Sequence, residues 1–583
     1  QVLVGSFENL LKEKIKAKSL KNIKYKKFNN FNSSTFLRNI LNSATIYLLI
    51  YEKSKNKEDI LISNNLFFIA SEMFAEFYQK GKYNESLKTF NQEIASGLLE
   101  TQLLINPNDK LKIKTILNRI ENNSSQHLWN IFEAKNSQNL KVPATLIKNL
   151  NELVFEKNAI ETQIESSKEV NDLKSKLAEL DKKINKIKSQ INLKDKSYET
   201  FKSGNFLIDD IQKKINNNQI MIKYVITGKT IYAYAIKNSS VELIEIGKTE
   251  PIKKLVNQHL KHINSINQNY TKTSKLLYEK IVHPIVKNQS INDIIFIPDD
   301  FLIAVSFESL IDKNGKMLVK NHHTSYAYSI KLWDILQKNN NSDNNVNRFV
   351  SFAPNYSKIP TENQNRGLRR ADLYDLKEAK IEAQKISELF SGKLYMNENA
   401  NRKNFIDATT SFSLHHLAMH SLLENDYSKS SLVFSGGQKV YFDELYQLNF
   451  PSDLVVLSAC NTGIGTMESG EGMMSLSRAL TYSGVKSSVY SLWQVPDKET
   501  SEIMISFYEN LKNGQPKDEA LANAKKEFLA KNPMKQHPFY WAGFVVNGDV
   551  SPIVNPTNNW IWFALAGGIL ILILGFVFRK KLF

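Results

Sequence analysis

The sequence predicts a multidomain protein in which an all-α helical repeat region and a helical hairpin precede an α/β domain and one transmembrane helix. Three observations indicate this order. Apolar residues recur at helical spacing over about the first 140 residues, strand and helix patterns alternate later in the chain, and an uncharged run lies near its end. A chain of 583 residues is long enough for several domains.

The predicted domain boundaries follow these changes of pattern. They are 1–142 for the helical region, 143–201 for the helical hairpin or coiled-coil linker, 202–549 for the α/β domain, 550–559 for a linker, 560–578 for the membrane helix and 579–583 for a basic tail.

One stretch of the N-terminal region is typical of a tetratricopeptide helix pair. Ser71 to Phe90, SEMFAEFYQKGKYNESLKTF, combines small residues, aromatic residues and a KGKY turn. Stacked helix pairs offer an extended surface, so we expect a protein partner to bind this region.

The next segment has a heptad pattern on a highly charged helix. Its apolar residues alternate steps of four and three at Leu173, Leu177, Leu180, Ile184, Ile187 and Ile191. The upstream positions Ile160 and Ile164 favour an antiparallel hairpin. A single amphipathic helix that lies on the next domain is the alternative.

Strand patterns begin at about residue 220. MIKYVITGKTIYAYAIKNSSVELIEIG predicts a β-meander by its alternation and turn residues. After Leu373, predicted helices alternate with the strands LHHLAMH, SLVFS, DLVVLSAC, SSVYSLWQV and WAGFVVNG, and EGMMSLSRALTYSG is one of those helices. This alternation predicts a doubly wound α/β domain.

The charge pattern and the uncharged C-terminal run indicate whether the protein binds nucleic acid or a membrane. The net charge is +17, but the lysines are spread along helices and loops without a basic stripe, so nucleic acid is not an expected partner. Trp560 to Phe578 carries no charge and spans about 28 Å as a helix. Trp560 and Trp562 mark one membrane interface and Arg579 to Lys581 the other, which predicts a single-pass C-terminal anchor.

The charges that flank this run also predict a topology. The basic tail would stay in the cytoplasm, which favours a periplasmic α/β domain, and a chain that begins at Gln1 fits the removal of a signal peptide. A tail anchor with the α/β domain in the cytoplasm is the alternative.

The stretch DLVVLSACNTG contains Cys460, the only cysteine of the sequence. One thiol excludes an internal disulfide and a cysteine-cluster zinc site, and no metal or cofactor is expected. A buried, structural thiol is one interpretation. The other is a nucleophile, because Cys460 lies where an apolar strand gives way to a loop, and chemistry collects at that edge of parallel sheets.

The segment LHHLAMHS supplies a candidate base. Alternation along a strand puts His416 and His420 on one face, with His420 at the carboxyl end. If this strand lies beside the Cys460 strand, the two side chains emerge together, as in a Cys/His hydrolase. A helix predicted to begin near Glu471 would lower the pKa of the thiol through its dipole, although Glu468 and Glu471 oppose that effect.

Residues 400–549 resemble a CHAT domain, which belongs to the caspase-like cysteine peptidases. The matching pieces are HLAMHS, DLVVLSACNTGIG, SGEGMMSLSRALTYSGVKSSVYSLWQVPDKET and HPFYWAGFVVNGD. DIIFIPDDFLIAVSFESL resembles the upstream half of that domain, and WNIFEAKNSQNL and KSYETFK resemble the helical region that precedes it in repeat-containing members.

The resemblance implies a caspase-like fold with Cys460 as nucleophile and His420 as general base and acid. It implies that His416 steers the strand end and that the backbone N–H after the catalytic histidine helps to form the oxyanion hole. That residue is usually glycine in the family and is Ser421 here, which would be strained at a positive φ.

Trp493 and Asp497 fall where caspase-like enzymes shape the substrate cleft. Scaffold packing is the alternative for both residues, and capping of the following helix is a further alternative for Asp497.

Taken together, these features predict a membrane-anchored bacterial cysteine endopeptidase that cleaves a protein substrate without a cofactor and is regulated through its helical region. The alternative is a catalytically weak CHAT-domain scaffold or signalling protein that binds partners without proteolysis.

Overall fold

The structure is a computed structural model of the chain. It describes residues 34–79, 88–123, 171–194, 207–286, 290–338, 349–356, 375–422, 430–458, 466–468 and 472–554, together with positions 153 and 424. Within these residues a helical region precedes a large mixed sheet that is flanked by helices.

The described N-terminal helices are α1 Ser34–Ser54, α2 Lys57–Gln79, α3 Lys88–Ile105 and α4 Lys110–Asn123. Helix α1 packs on α2, and α2 packs on α3. The helix pair predicted around residues 71–90 is therefore present. At 21 and 23 residues, α1 and α2 are longer than the helices of a repeat of about 34 residues.

Gly97 allows α3 to approach α2 closely. A Cβ atom at this position would lie 2.2 Å from the ring of Phe67. Glycine inside a helix costs about 1 kcal/mol relative to alanine. The space that the phenyl ring occupies explains why α3 contains a glycine there.

The helix predicted from the heptad pattern is α5, Asn171–Lys194, in which Leu180 and Ile184 are buried. The proposed partner segment around Ile160 and Ile164 lies outside the described residues. The hairpin or coiled coil therefore stays a prediction.

An eleven-stranded sheet forms the centre of the following part of the chain. Its strands are β1 Gln219–Ile226, β2 Thr230–Ile236, β3 Val241–Lys248, β4 Asp293–Ile297, β5 His323–Tyr326, β6 Phe349–Pro354, β7 Lys393–Asn397, β8 Leu414–Ala418, β12 Leu454–Ser458, β15 Ser487–Ser491 and β16 Phe544–Gly548. Two smaller sheets are formed by β9 Ser421–Leu422, β10 Ser431–Val433 and β11 Lys439–Tyr441, and by β13 Thr466–Glu468 and β14 Gly472–Met474.

The α-helices of this part are α6 Ile208–Gln212, α7 Thr249–Asn264, α8 Tyr270–Leu277, α9 His283–Val286, α10 Ile330–Lys338, α11 Lys377–Leu389, α12 Arg402–Ala408, α13 Phe442–Gln447, α14 Leu476–Ser483, α15 Asp497–Lys512 and α16 Lys517–Lys531. A π-helical turn, Tyr278–Val282, joins α8 to α9. Helices α11 and α15 pack together on one face of the sheet, where α11 contacts β6 and β8.

The large sheet consists of two halves with opposite strand directions. Its order is β3-β2-β1-β4-β5-β16-β15-β12-β8-β6-β7. Strands β1, β4, β5 and β16 are parallel to one another, as are β15, β12, β8, β6 and β7, whereas β15 and β16 are antiparallel. The α/β alternation was predicted correctly, and β16 is the strand that joins the halves.

The predicted β-meander is formed by β1, β2 and β3, and both faces of β1 are buried. Met221 and Val225 belong to the same hydrophobic core as helices α1 to α4. Ile222 and Tyr224 belong to the core on the opposite face. Because strand side chains alternate between faces, the N-terminal helices form one of the two layers that cover this sheet.

Glu121 of α4 ties the helical region to the sheet. Its carboxylate is fully buried, and Oε2 accepts hydrogen bonds from the N–H groups of Ile330 at 2.8 Å and Lys331 at 3.2 Å, at the start of α10. Lys223 Nζ of β1 lies 3.0 Å from Oε1. The carboxylate thus meets a helix N-terminus and an ammonium group, both of which stabilise negative charge.

The helix predicted to begin near Glu471 begins later, at Leu476. Residues 472–474 form β14, which pairs with β13 in an antiparallel hairpin. The Ser475 side chain then caps α14 by accepting the N–H of Arg478, and the helix ends at Gly484 with φ 113°. The expected dipole effect of a helix at Glu471 on the thiol therefore has no basis in the structure.

The predicted localisation, that of a single-pass membrane protein with a periplasmic domain, is contradicted by the structure. No helix in the described ranges is both long enough and apolar enough to cross a bilayer. The long helices carry charges along their length, as α2 does at Glu58, Asp59 and Glu72, because each packs one apolar side against a neighbour. The predicted span, 560–578, lies outside the described residues.

We predict that a fragment of residues 202–549 is much less stable than the whole chain. Removal of the helices would expose several large side chains of β1 and β2, each of which contributes about 1.5–3 kcal/mol when buried. That loss is comparable to the whole stability of a domain, about 5–15 kcal/mol. Thermal melting of both proteins in parallel should show a lower transition or aggregation for the fragment. Equal melting temperatures would contradict the shared core.

Candidate active site

The two strands that carry the candidate residues are neighbours. Strands β8 and β12 pair in parallel, with Ala418 opposite Ser458. Parallel strands end at the same edge of a sheet, so Ala418 and Ser458 lie side by side at its carboxyl edge. The strand adjacency that a Cys/His pair would require is therefore present.

His420 lies two residues beyond the end of β8 and is held by its backbone. Its C=O accepts the N–H of Val433 at 3.0 Å, and its N–H donates to the hydroxyl of Tyr356 at 3.0 Å. The imidazole packs against the Tyr356 ring with 4.7 Å between centroids. Only 8% of His420 is exposed to solvent.

A small cleft that is open to solvent lies beside His420. Its walls include His420, Ser458, Ser491, Asp497, Thr500 and Leu376. These residues come from the ends of β8, β12 and β15 and from the starts of α11 and α15. The cleft therefore lies at the carboxyl edge of the sheet, where ligands bind in open α/β folds.

Cys460 lies outside the described residues. Ser458, two positions earlier, ends β12 and lines the cleft. The role of Cys460 as nucleophile stays a prediction.

His416 lies beneath the cleft, fully buried between the sheet and its covering helices. Its Nε2 atom is 2.8 Å from Oε1 of Glu382 on α11, although the two groups are not aligned as a hydrogen bond. Its ring meets that of Tyr508 edge-on at 5.4 Å. His416 therefore lies on the face of the sheet that α11 and α15 cover.

His415 faces the other side of the sheet and is structural. Its Nε2 lies 3.1 Å from the carbonyl oxygen of Ala408, and its Nδ1 lies 3.0 Å from Oγ of Ser452. Since a carbonyl only accepts, Nε2 carries the proton in this arrangement. Burial lowers the pKa of His415 to about 3, so the ring is neutral near pH 7.

Asp497 is the first residue of α15, after Pro496 at the N-cap position, and lines the cleft. Burial raises the pKa of its carboxyl group, and the negative charges of Glu382, Glu378 and Glu499 raise it further. Since a proline has no side-chain acceptor, the helix lacks a side-chain cap, and Asp497 does not occupy that position.

Ser421 begins β9, where it pairs with Leu432 of β10. Among the described residues with positive φ other than glycine are Lys55, Asp300 and Ser391, but Ser421 is not one of them. The serine therefore carries no left-handed backbone strain.

Trp493 is 5% exposed, and its Nε1–H donates to the carbonyl of Phe539 at 3.1 Å. Its ring also packs near Gly543, where a Cβ atom would lie 3.3 Å from Nε1. These contacts are those of a buried scaffold side chain, and a contribution of Trp493 to substrate binding stays a prediction.

The described ranges contain no group of three or more histidine, cysteine, aspartate or glutamate side chains arranged to hold a metal ion.

Two residues of this region were not predicted from the sequence. Tyr356 follows β6, the strand beside β8, and Glu382 lies on the buried side of α11. A signal existed for Tyr356, because RFVSFAP is an apolar strand and the residues just after it share the edge with His420. Glu382 follows no motif, and only the packing of α11 reveals its position.

Similarity searches find the CHAT domain over residues 271–549. Two curated relatives, the human (Homo sapiens) and mouse (Mus musculus) tetratricopeptide repeat protein 28, are each 29% identical over 115 residues, or 20% of this chain. The chain spans only 5% of the length of these relatives.

Solved structures with some similarity include the Arg-specific cysteine proteinase gingipain R, at 15% identity and a TM-score of 0.32, over 52% of this chain and 75% of the other. The Saccharomyces cerevisiae separase–securin complex matches at 10% identity and a TM-score of 0.41, over 90% of this chain and 49% of the other.

The order of the motifs, the parallel pairing of the strands that carry them and the family match all concern the same part of the chain. The chain therefore contains a CHAT domain over residues 271–549.

Proposed function

We propose that this protein is a cysteine endopeptidase that cleaves a protein substrate with Cys460 as nucleophile and His420 as general base and acid. The observation that supports this most is the pairing of β8 with β12, which places His420 and Ser458 in the walls of one cleft. Cys460 follows Ser458 by two positions in the sequence. The family match covers both motifs.

The reaction would take place in two steps. His420 accepts the thiol proton while the sulfur attacks the peptide carbonyl, and the protonated imidazole then gives that proton to the departing amine. Water, deprotonated by His420, next attacks the thioester, which releases the new carboxyl end and restores the thiol. The backbone N–H of Ser421 is proposed to donate to the carbonyl oxygen while it carries negative charge.

Asp497 is proposed to favour substrates with lysine or arginine at the cleaved site. Its carboxylate is the negative group among the described residues that line the cleft, and three further carboxylates lie around it. A partly buried carboxylate attracts a cationic side chain more strongly than an exposed one does.

The helical region is proposed to bind a protein partner that regulates the enzyme. Its helices share a hydrophobic core with β1 to β4, and Glu121 joins them to both β1 and α10. A partner that alters the packing of these helices would therefore act on the sheet itself.

We predict that Cys460→Ala and His420→Ala each abolish proteolysis, with a loss of at least about 10⁴-fold, because thiol and imidazole act as a unit. New protein termini would be compared in cells that contain wild type, either variant or no protein. Cleavage by Cys460→Ala above the level without protein would contradict the assignment.

The pH dependence of alkylation tests the pair without a known substrate. Iodoacetamide modifies the chain at a single thiol, because the sequence has one cysteine. We expect a thiol pKa of about 3.5–7.5 in wild type and about 8.5 in His420→Ala. If both proteins show the ordinary value, the non-catalytic scaffold becomes the better description.

We predict that Ser421→Gly does not raise turnover. Ser421 has no positive φ that glycine would relieve, and glycine would loosen β9 at a cost of about 0.5–1 kcal/mol. Turnover and thermal melting of this variant would be compared with wild type. A several-fold gain in turnover would mean that the serine impairs the oxyanion hole.

We predict that Asp497→Asn lowers the preference for lysine or arginine over glutamine before the cleaved bond by about 10–100-fold. Peptides that differ only at that residue would be compared by kcat/KM, with Asp407→Asn as control because Asp407 pairs with Lys403 at the surface and does not line the cleft.

The pH dependence of this preference provides a second measurement. The carboxylate binds a cation only when ionised, so wild-type preference should fall as pH drops through the raised pKa of Asp497. The ratio of two peptides cancels the protonation of His420. A preference that persists at low pH, or in Asp497→Asn, would show that another group selects the substrate.

A further inference from the structure

We propose that the Tyr356 hydroxyl forms a bridge between β9 and β10 at His420, in place of a direct backbone hydrogen bond, and so sets the position of the catalytic base. Tyr356 is thus a positioning residue. The proposal rests on the proposed function.

The inference begins with the ladder itself. Strands β9 and β10 are antiparallel, with Ser421 opposite Leu432. One step further along the chain, the same register puts His420 opposite Val433. In a regular antiparallel pair, two such residues exchange both N–H···O=C hydrogen bonds directly.

Only one of these two bonds is direct here. The N–H of Val433 donates to the carbonyl of His420 at 3.0 Å. On the other side, the N–H of His420 donates to the Tyr356 hydroxyl at 3.0 Å, and that hydroxyl donates to the carbonyl of Val433 at 2.9 Å. The hydroxyl therefore stands between the two backbone groups and completes the pair through one additional atom.

This bridge separates His420 from β10 on its N–H side. A direct bond would bring its nitrogen to about 2.9 Å from the Val433 oxygen, whereas the bridge places a hydroxyl between them. The ring of Tyr356 also packs on the imidazole, with 4.7 Å between centroids. Both contacts act on one residue, so Tyr356 determines where the His420 backbone lies and which way its ring faces.

Tyr356 is itself held firmly. It is 2% exposed and follows β6, which pairs with β8 on the side opposite β12. It packs in a small core with Ala418 and Val433. A small displacement of a catalytic group lowers the rate strongly without a new contact to substrate, because the reacting atoms must be held in a narrow range of positions.

The test is Tyr356→Phe, which keeps the ring contact and removes the hydroxyl. The matched control is Tyr224→Phe, which removes a buried hydroxyl that donates to the carbonyl of Ile281 at 2.6 Å. Tyr224 lies on β1, six strands and about 29 Å from β8. Both variants would be made in the full chain and measured for thermal melting, alkylation by iodoacetamide from acid to alkaline pH, and peptide cleavage.

We expect Tyr356→Phe to move the pH profile of alkylation towards that of His420→Ala and to lower kcat by about 10–100-fold with little change in KM. Tyr224→Phe should melt at a similar temperature and keep the wild-type profile. A wild-type profile in Tyr356→Phe, together with a shifted profile in His420→Ala, would overturn the positioning role of the Tyr356 bridge but leave the proposed catalytic pair intact. No shift in His420→Ala would instead overturn the proposed function.

A measurement on wild type covers the case in which Tyr356→Phe does not fold. Hydrogen–deuterium exchange, resolved to the His420 amide by fragmentation, should show strong protection because this N–H donates to a buried hydroxyl. Exchange at the rate of an open amide would overturn the bridge.

Discussion

The parallel pairing of β8 with β12 is the constraint on which the candidate site depends. Neighbouring strands lie about 4.8 Å apart, so their carboxyl ends can place different side chains in one small space. The adjacent strands extend this edge in both directions: β6 leads to Tyr356, β8 to His420, β12 to Ser458, and β15 to Asp497. The cleft is thus formed where buried strands end and helices α11 and α15 begin, and a rigid sheet positions the residues at this edge.

A buried glutamate that does not line the cleft contributes to the electrostatics of the cleft. Glu382 is 1% exposed and cannot touch a substrate, yet its negative charge contributes to the raised pKa of Asp497. It lies beside His416, and Ser351 and Ser387 bond nearby through their hydroxyl groups at 2.6 Å. Burying polar groups of this kind costs free energy unless they form hydrogen bonds or ion pairs with one another. Changes at α11 can thus alter the electrostatics of a cleft that α11 itself barely lines.

The local sequence pattern was sufficient to predict the structure of segments whose burial follows from their own residues. LHHLAMH and DLVVLSAC are apolar enough to be buried strands, and their parallel alignment follows from the α/β alternation. The GMM segment was misassigned because its strand depends on pairing with 466–468, which no local period reveals. The bridge at Tyr356 and the cap formed by Glu121 also join residues distant in sequence, as does the packing of the N-terminal helices on β1. Ser421 gained its proposed role from motif resemblance alone, whereas Cys460 was also indicated by its place after a predicted buried strand.

The position of β16 has a consequence for how the protein is made. This strand, residues 544–548, follows the other ten strands of the sheet in the sequence, yet it lies in the middle of the sheet between β5 and β15. Until the ribosome has released these residues, each half-sheet must wait with an open edge, and open edges invite pairing with other chains. The nascent protein therefore cannot close its largest sheet until β16, the last of these eleven strands in chain order, has been made, and a chaperone that shields strand edges would help most before that point.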